Sequence, residues 1–255
     1  MTAPTLIKSF GKSVREFWHA LLLIIPITFS YFLFMIKNRA LPPEKKSELF
    51  WNMGAKNMDN YAENEGLKKL ERIRTEKLKK YLTGKSNVLD YGCGTGTIAV
   101  QFSNLVTRMQ GIDYAAGMIE AAQRKAAVNR IENASFIKTT IFDERLDKGS
   151  YDVVIAWGIL HLVDDRKHVI DRIYELLKPG GLFLSATECL GEKKTSITSF
   201  LALLMKIGIF PIMLKYFSIT ELESTITGAH FQIIEKVTMA DNPVSCFIAA
   251  KKLQQ

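Results

Sequence analysis

The amino-acid sequence predicts an α/β fold with a doubly wound, mostly parallel sheet that carries helices on both faces. From Val88 onward, short runs rich in β-branched and aromatic residues alternate with stretches of helical periodicity. Parallel neighbouring strands need a long crossover, usually a helix, and this alternation supplies one. Glycine-rich and acidic motifs also follow directly after predicted strands, which is where sheets of this kind bind ligands.

Seven strands are predicted. The runs that predict them begin at Val88, Arg108, Ala134, Tyr151, Gly181, His230 and Ser245. Helices are predicted near 97–105, 115–129 and 164–177 from their periodicity. A further helical stretch, Lys45–Leu82, follows a Pro42-Pro43 linker.

The most hydrophobic part of the chain, Phe17–Ile36, precedes this α/β region. Its twenty residues carry no formal charge, and twelve of them are Leu, Ile or Phe. A helix of that length spans a bilayer core, so we predict an N-terminal hydrophobic helix that anchors the protein in a membrane. A cleaved signal peptide, a core helix and a helix lying in the membrane plane are the alternatives. The predicted division is therefore an anchor over residues 1–40 and a second domain over 41–255.

The positive charge of the chain is concentrated near this apolar segment. The formal net charge is +8, and the whole excess precedes Val88, because the remainder holds eighteen basic and eighteen acidic residues. This distribution favours an anionic surface near the N-terminus and argues against a basic nucleic-acid groove in the globular part. The three cysteines, Cys93, Cys189 and Cys246, are far apart and lack zinc-ligand spacing. We therefore predict neither a metal site nor a disulfide, and a reducing compartment.

A glycine-rich turn closes the first predicted strand and opens a helix. It contains Asp90, Gly92, Gly94 and Gly96, and Asp113 ends the second strand twenty-one residues after Gly92. Glycines let the backbone approach a ligand closely, and the following helix presents unpaired N–H groups. The carboxylate of Asp113 is placed to accept hydrogen bonds from two ribose hydroxyls. A dinucleotide fingerprint would require glycine at 97, where this chain has threonine, so the spacing G-x-G-x-G argues against a dinucleotide.

With V-L-D before the turn, G-I-D at 111–113 and L-L-K-P-G-G at 176–181, the chain resembles the class I S-adenosylmethionine-dependent methyltransferases, especially the branch acting on small molecules, quinones and lipids. The resemblance covers roughly Phe50–Lys252 and implies a Rossmann-like fold with S-adenosyl-L-methionine as the cofactor. It implies that Asp90 and the glycines hold the methionine end, that Asp113 holds the ribose, and that Tyr114 flanks the adenine. The implied cofactor-binding residues are Asp90, Gly92, Gly94, Gly96, Asp113, Tyr114, Met118, Thr140, Ile141, Trp157 and Tyr61.

The sequence departs from the family pattern after the third strand. An acidic residue that meets the adenine amino group is common there, whereas this chain has Thr140. The Thr140 hydroxyl and the Ile141 backbone N–H could serve adenine instead, and Asp143 is a weaker substitute. Upstream, Trp51, Lys56 and Tyr61 resemble the family's N-terminal segment, which closes over cofactor and acceptor.

His161, just after the fourth predicted strand, is the candidate catalytic residue. Methyl transfer from a sulfonium needs mainly alignment and dehydration, and a base is required only when the acceptor arrives protonated. Histidine at the edge of the cofactor cleft suits such a proton transfer. A packing role beside the cofactor is the alternative.

The acceptor class follows from an apolar segment and from absent motifs. Enzymes that methylate exocyclic amines of bases carry an acidic or Asn residue followed by Pro-Pro-aromatic after the fourth strand, where this chain has Ala-Trp-Gly-Ile at 156–159. A Pro-Cys nucleophile is also missing, so nucleic acid is not an expected partner. Residues 195–217 are largely aliphatic and predict an acceptor lid, with an ordinary buried helix pair as the alternative.

These features predict a membrane-associated methyltransferase for a lipophilic small molecule, such as a lipid or quinone. Its catalytic domain should face the cytoplasm, where S-adenosylmethionine is made. A tethered enzyme acting on a soluble small molecule and a non-catalytic, cofactor-binding membrane module are the alternatives. The sequence predicts no oligomeric state.

Overall fold

The computed structural model describes residues 37–38, 40–56, 58, 65–193, 199, 202–203, 214–241 and 243–253. The chain divides into two units, Met1–Lys46 and Ser47–Gln255, and the sheet lies in the second. The predicted anchor helix, Phe17–Ile36, and most of the predicted lid, 195–217, lie outside the described residues. Within the described part of the chain, no helix combines the length and hydropathy needed to cross a bilayer.

Seven strands form one sheet, as predicted. They are β1 Asn87–Tyr91, β2 Arg108–Asp113, β3 Ala134–Lys138, β4 Tyr151–Trp157, β5 Leu177–Glu188, β6 Phe231–Asp241 and β7 Val244–Lys252, in the spatial order β3-β2-β1-β4-β5-β7-β6. The chain order reverses between β1 and β4, because β1 pairs with β2 on one side and with β4 on the other. Open α/β sheets bind ligands at the carboxyl ends of strands beside such a switch.

The sheet is mixed, which refines the prediction of a mostly parallel sheet. β1 to β5 pair in parallel, whereas β7 is antiparallel to both of its neighbours, β5 and β6. The short connection from Asp241 to Val244 explains this, because only antiparallel strands can be joined by so tight a turn. The strand β7 then inserts between β5 and β6 instead of extending the sheet at its edge.

Six α-helices lie in the described part of the chain. They are α1 Pro43–Gly54, α2 Glu65–Tyr81, α3 Thr97–Phe102, α4 Ala116–Val128, α5 Arg166–Leu176 and α6 Ile219–Gly228. The single helical stretch predicted over Lys45–Leu82 is wrong in one respect, because the structure has two helices there. Helix α1 ends at Gly54, and α2 begins at Glu65, eleven residues further on. A glycine at that point favours a helix end.

Helices cover both faces of the sheet, as predicted. On one face, Val169 and Ile173 of α5 and Leu222 of α6 are buried against the strands. On the other, Leu78 of α2 and Phe102 of α3 are buried in a second cluster, to which α4 also contributes. Burial on both faces explains why the central strands read as continuous apolar runs.

Candidate active site

The glycine-rich loop at 92–96 connects β1 to α3 and is pinned to the neighbouring strand. The N–H groups of Gly92 and Cys93 both donate to the carbonyl oxygen of Ile112, at 2.9 and 3.0 Å. Gly92, Gly94 and Gly96 all have positive φ, which L side chains rarely adopt. A Cβ on Gly96 would lie 2.9 Å from Cβ of Ala122, so this glycine lets the loop pack on α4.

Gly94 has the opposite surroundings. Among the described residues, a Cβ there would meet only Sδ of Met58, at 3.9 Å. As far as the described residues extend, the surface above Gly94 is therefore open to a ligand that contacts the backbone.

Asp113 ends β2 and is oriented by backbone N–H groups. Its Oδ2 accepts from Gly94 at 3.1 Å, and its Oδ1 accepts from Ala115 at 2.9 Å. Burial raises the pKa of Asp113, and the backbone hydrogen bonds from Ala115, Gly94 and Tyr114 partly offset that rise. A carboxylate has about four acceptor sites, so this one can still accept ligand hydroxyls.

Asp90 lies deeper, at the end of β1, and is 1% exposed. Neither of its carboxylate oxygens has a hydrogen-bond partner among the described residues. Burial raises the pKa of Asp90 to about 7, opposed by the charge of Arg74 and reinforced by that of Asp113. A buried charge without a partner is costly, so this carboxylate suits a cationic ligand group. An ammonium or a sulfonium would meet that requirement, which is the fit expected of S-adenosylmethionine.

Helix α1 packs over the start of α4, next to this pocket. The Oγ of Ser47 lies 2.6 Å from the hydroxyl of Tyr114, and Oδ1 of Asn52 accepts from the N–H of Gly117 at 2.7 Å. Met118 is buried in a small cluster against which Trp51 packs. Burial raises the pKa of Tyr114 to about 12. The neutral aromatic ring and Met118 thus lie on the β2 side of the pocket, and their role beside adenine stays a prediction.

Two of these contacts were not predicted from the sequence. Ser47 and Asn52 each bind a partner more than sixty residues away along the chain. No local spacing signals such a pair. The family-like Trp51 was the only signal that α1 would approach the pocket.

The segment after β3 contains the departure from the family pattern. Thr140 is exposed there, and Ile141 is buried with its carbonyl oxygen 3.2 Å from Nε of Arg172. Asp143 forms an ion pair with Arg145 and accepts from the Thr139 hydroxyl. The Arg145 and Thr139 contacts hold the pKa of Asp143 well below its usual range. The carboxylate of Asp143 is thus engaged by its neighbours Arg145 and Thr139. The roles of Thr140 and Ile141 in binding adenine stay predictions.

His161 and Glu188 lie close together where β4 and β5 end. Trp157 ends β4 and packs against Phe247 of β7 with ring centroids 6.1 Å apart. Nδ1 of His161 lies 2.8 Å from Oε2 of Glu188 and 3.1 Å from Oγ1 of Thr187. Burial acts to raise the pKa of Glu188, but the contact with His161 outweighs it and the pKa is lowered.

Glu188 was missed in the sequence, because it follows no motif and joins His161 only through strand pairing. Tyr61 lies outside the described residues. In the described part of the chain, no cluster of three or more His, Cys, Asp or Glu side chains could hold a metal ion.

The fold and the pocket place this chain in the class I S-adenosylmethionine-dependent methyltransferases. It belongs to the methyltransferase-domain family, whose model matches residues 82–216.

Two curated relatives illustrate the range of similar proteins. The demethylmenaquinone methyltransferase of Lactococcus lactis is 34% identical over 115 residues, which cover 44% of this chain and 45% of the relative. The malonyl-[acyl-carrier protein] O-methyltransferase of Hamiltonella defensa is 26% identical over 160 residues, covering 62% of this chain and 58% of the relative. The chain thus spans about half the length of these relatives.

Solved structures show the same fold at low sequence identity. The YcgJ protein of Bacillus subtilis has a TM-score of 0.60 and 18% identity, covering 71% of this chain and 98% of that one. The geranyl diphosphate C-methyltransferase of Streptomyces coelicolor has a TM-score of 0.62 and 17% identity, covering 73% of this chain and 81% of that one.

Proposed function

We propose that this protein transfers the methyl group of S-adenosylmethionine to a lipophilic small molecule at a membrane. The observation that carries the methyltransferase part is the buried, unpartnered Asp90 beside the open backbone of Gly94. Asp113, one strand away, supplies the second carboxylate. This set suits a ligand with a cationic end and a ribose.

Each residue of the pocket has a distinct task in binding. Asp90 would compensate the positive charge of the methionine end, and Gly94 would let the backbone approach it. Asp113 would accept from the ribose, with its orientation fixed by the Gly94 and Ala115 N–H groups. The bound cofactor would supply a methyl group on a positively charged sulfur, already activated for transfer.

The acceptor would bind toward β4 and β5, beside His161. Described residues near the two limits of the predicted lid lie there: Gly191 donates to the carbonyl oxygen of Phe217 at 3.0 Å, and Lys215 donates to that of His161 at 2.8 Å. Arg166 also lies over the Phe217 ring, 3.8 Å from its centroid. The aliphatic composition of residues 195–217 supports an apolar acceptor. Exclusion of water from the site would strengthen the electrostatics of transfer.

One similar protein is named for a lipophilic acceptor, demethylmenaquinone. This supports a lipophilic acceptor for the present chain. The apolar segment Phe17–Ile36 supports membrane attachment through residues 1–40, with the domain over 41–255 facing the cytoplasm.

A soluble acceptor is the second candidate. The similarity to malonyl-[acyl-carrier protein] O-methyltransferases favours it, since that name refers to a carrier-bound acid. On this alternative the segment Phe17–Ile36 would only tether the enzyme.

Incubation of the full-length protein with methyl-labelled cofactor and extracted host membranes tests the proposal. We expect label to enter a lipid-soluble species, and an Asp113→Asn variant should transfer much less. Label that appears only in water-soluble products would favour the second candidate. Failure to bind the cofactor at high micromolar concentration would exclude both enzyme functions and leave a non-catalytic module.

A further inference from the structure

We propose that the outward face of helix α2 docks on the anionic headgroups of a bilayer and lays the methyltransferase domain on its side against that bilayer. This inference rests on the membrane attachment in the proposed function. It assigns a surface, and the chemistry of its partner, to a helix that lies outside the candidate site.

Helix α2 concentrates the positive charge of the chain. Its seventeen residues hold seven Lys and Arg against three Glu, which is half of the net charge of +8. Some of these cations hold the helix in place. Lys77 and Lys80 donate to Glu235 of β6, and Arg74 donates to Gln101 of α3. The remaining cations are available for another role.

Four of the remaining cations form an exposed basic face, which consists of Lys68, Lys69, Arg72 and Lys79. Lys68, Arg72, Thr75 and Lys79 recur at helical spacing, so they lie in one stripe along the helix. The opposite side of α2 packs on the sheet. In the described part of the chain, Lys69, Arg72 and Lys79 form no ion pair. These three positive charges are therefore directed at solvent without a partner from the protein.

The carboxylates next to the basic face do not cancel its charge. Glu71 pairs with Arg74 at 2.8 Å, and Glu76 pairs with Lys77 at 3.0 Å. Both glutamates are thus neutralised by cations that lie outside the basic face. A basic face on an amphipathic helix is typical of binding to an anionic surface.

Anionic lipid fits this face better than nucleic acid does. The face is the convex side of a single helix, and it presents no aromatic side chain on which a base could stack. Duplex-binding surfaces are larger, and the chain from Val88 onward has no excess of positive charge that could extend this one. Basic clusters close to a membrane anchor are attracted by anionic lipid headgroups.

The strength of this attraction indicates what the basic face can do. Each basic residue near an anionic leaflet contributes about 1 kcal/mol, or roughly fivefold in association. Three such residues contribute on the order of 10²-fold, which is too little to attach a protein on its own. It is enough to orient a protein that an anchor already holds at the surface, where the effective concentration of lipid is high.

The direction of α2 determines the orientation that docking would impose. Only five residues separate the end of α2 from the start of β1, so the helix runs back along the sheet, antiparallel to that strand. The start of α2 therefore lies toward the edge where the parallel strands end and the candidate site is found. Docking along the helix would bring that edge beside the headgroups, which shortens the path of a lipophilic acceptor.

Vesicle partition of the full-length protein tests the basic face. The variant combines Lys69→Gln, Arg72→Gln and Lys79→Gln, and partition is compared between phosphatidylcholine vesicles and vesicles that also contain phosphatidylglycerol. We expect the ratio of the two partition coefficients to fall on the order of 10²-fold in this variant. Basic residues beside Phe17–Ile36 are the same in both proteins and do not affect this comparison.

The matched control removes the same charge from the opposite face of the sheet. It combines Lys148→Gln, Lys167→Gln and Lys236→Gln, which are exposed lysines on the side of α5 and α6. The partition ratio should change much less in this control. An equal fall in both variants, or no fall in the α2 variant, would overturn the proposal.

A fluorescent label on the basic face tests the orientation directly. The three native cysteines are buried, so a bimane label can be directed to Thr75→Cys. Nitroxide-headgroup lipid should quench this label strongly in vesicles that contain phosphatidylglycerol, weakly without it, and less at high salt. A label at Lys167→Cys on α5 should stay unquenched. Equal quenching of the two labels would contradict side-on docking.

Two further outcomes separate this inference from its alternatives. If the full-length protein does not bind phosphatidylcholine vesicles at all, the membrane attachment in the proposed function fails. If it binds both kinds of vesicle but the Thr75→Cys label does not respond to phosphatidylglycerol, only the present inference fails. Quenching of that label that duplex DNA abolishes at physiological salt would show that nucleic acid is the preferred partner of this face, and would refute the lipid assignment.

Discussion

The carboxylates of Asp90 and Asp113, at the ends of adjacent strands, differ in their hydrogen bonding. Asp113 accepts backbone hydrogen bonds from Gly94 and Ala115, whereas the oxygens of Asp90 have no partner among the described residues. Asp113 can therefore stay ionised and hold the loop in both free and bound states. The charge of Arg74 stabilises ionised Asp90 only in part, and a bound cation would supply a direct partner for it. This difference makes Asp90 the residue whose protonation should respond to binding.

Cofactor affinity should therefore rise with pH through about 7, the raised pKa of Asp90. Below that pKa the carboxyl is neutral in the free protein and must lose its proton to pair with a cation. Each pH unit below the pKa should cost up to about tenfold in affinity. Arg74 and Asp113 are the charged groups that act on it. Calorimetric titration below about pH 7.5, where the ligand's amino group stays protonated, measures this slope.

Asp90→Asn supplies the control for that pH dependence. The amide cannot ionise, so the variant should bind more weakly with a nearly flat profile. A slope equal to that of the wild type would mean that another group titrates.

Asp113→Asn should weaken cofactor binding by about 1.5–3 kcal/mol, because charge-assisted hydrogen bonds to the ribose would be lost. The amide can keep only part of the contacts to Gly94 and Ala115, so loop order is also reduced. Equilibrium dialysis with labelled cofactor measures the change. Asp143→Asn is the matched control, since that carboxylate is occupied by Arg145. An unchanged dissociation constant for Asp113→Asn would refute the ribose assignment.

At the scale of elements, α1 completes the N-terminus of α4. The N-cap residue of α4, Ala115, offers no side-chain oxygen, and Oδ1 of Asn52 accepts from the Gly117 N–H instead. A cap supplied by another helix ties the two elements together. Loss of α1 should therefore also loosen the first turn of α4.

Asn52→Ala should destabilise the fold by about 1 kcal/mol, the usual cost of a lost N-cap. Urea unfolding followed by circular dichroism measures it. Asn129→Ala is the control: its side chain donates to the Lys125 carbonyl at the opposite end of α4, at an exposed site. If Asn129→Ala lowered the free energy of unfolding as much as Asn52→Ala does, the cap supplied by α1 would contribute no more than an exposed side-chain hydrogen bond.

Helix α2 is held to the edge strand β6 by one carboxylate. Glu235 accepts from Nζ of Lys77 and Lys80, both at 2.8 Å, and from the Tyr81 hydroxyl at 2.5 Å. Burial alone would raise the pKa of Glu235, but these three hydrogen bonds lower it to about 2. A depressed folded-state pKa stabilises the protein above the unfolded value of about 4.3, and that contribution is lost as pH falls toward about 2.

Glu235→Gln should therefore lower the free energy of unfolding by about 1–3 kcal/mol at neutral pH, with a difference that shrinks on acidification from about pH 4 to about pH 2. Urea unfolding at a series of pH values measures this. Glu223→Gln, which breaks a single ion pair with Lys236, should cost less. If the wild type and the Glu235→Gln variant lost stability in parallel as the pH falls, Glu235 could not be the group whose depressed pKa stabilises the fold.

The strands and the glycine-rich loop could be predicted because each depends on residues that are close together in the sequence. Alternation of β-rich runs with helical periodicity predicted all seven strands. The spacing of Gly92, Gly94 and Gly96 predicted a loop that lets the backbone approach a ligand, and all three glycines have positive φ in the structure. The insertion of β7 and the His161–Glu188 contact were not predictable, because both depend on which strands become neighbours. Periodicity carries no information about that order.

At the scale of the whole molecule, the candidate site residues lie at one edge of the sheet, where the parallel strands end. The ends of β1 and β2 carry the carboxylates of the cofactor pocket, and the ends of β4 and β5 carry His161 and Glu188. Since β1 pairs directly with β4, donor and acceptor would meet where the two halves of the sheet join. This arrangement uses only residues after Lys46. Cofactor binding should therefore not require the apolar N-terminal segment.

Deletion of residues 1–40 tests that separation of roles. The truncated chain keeps all of α1, which begins at Pro43, so the dissociation constant for S-adenosylmethionine should stay within about twofold of the full-length value, a change of about 0.4 kcal/mol. Partition to vesicles should fall sharply, because the twelve Leu, Ile and Phe side chains of Phe17–Ile36 are removed. Ile25→Lys in the full-length chain is the matched variant, since a charge at the centre of a spanning helix costs about 3 kcal/mol. If the truncated protein still sediments with vesicles, attachment must come from elsewhere, and the apolar residues 195–217 become the segment to change next.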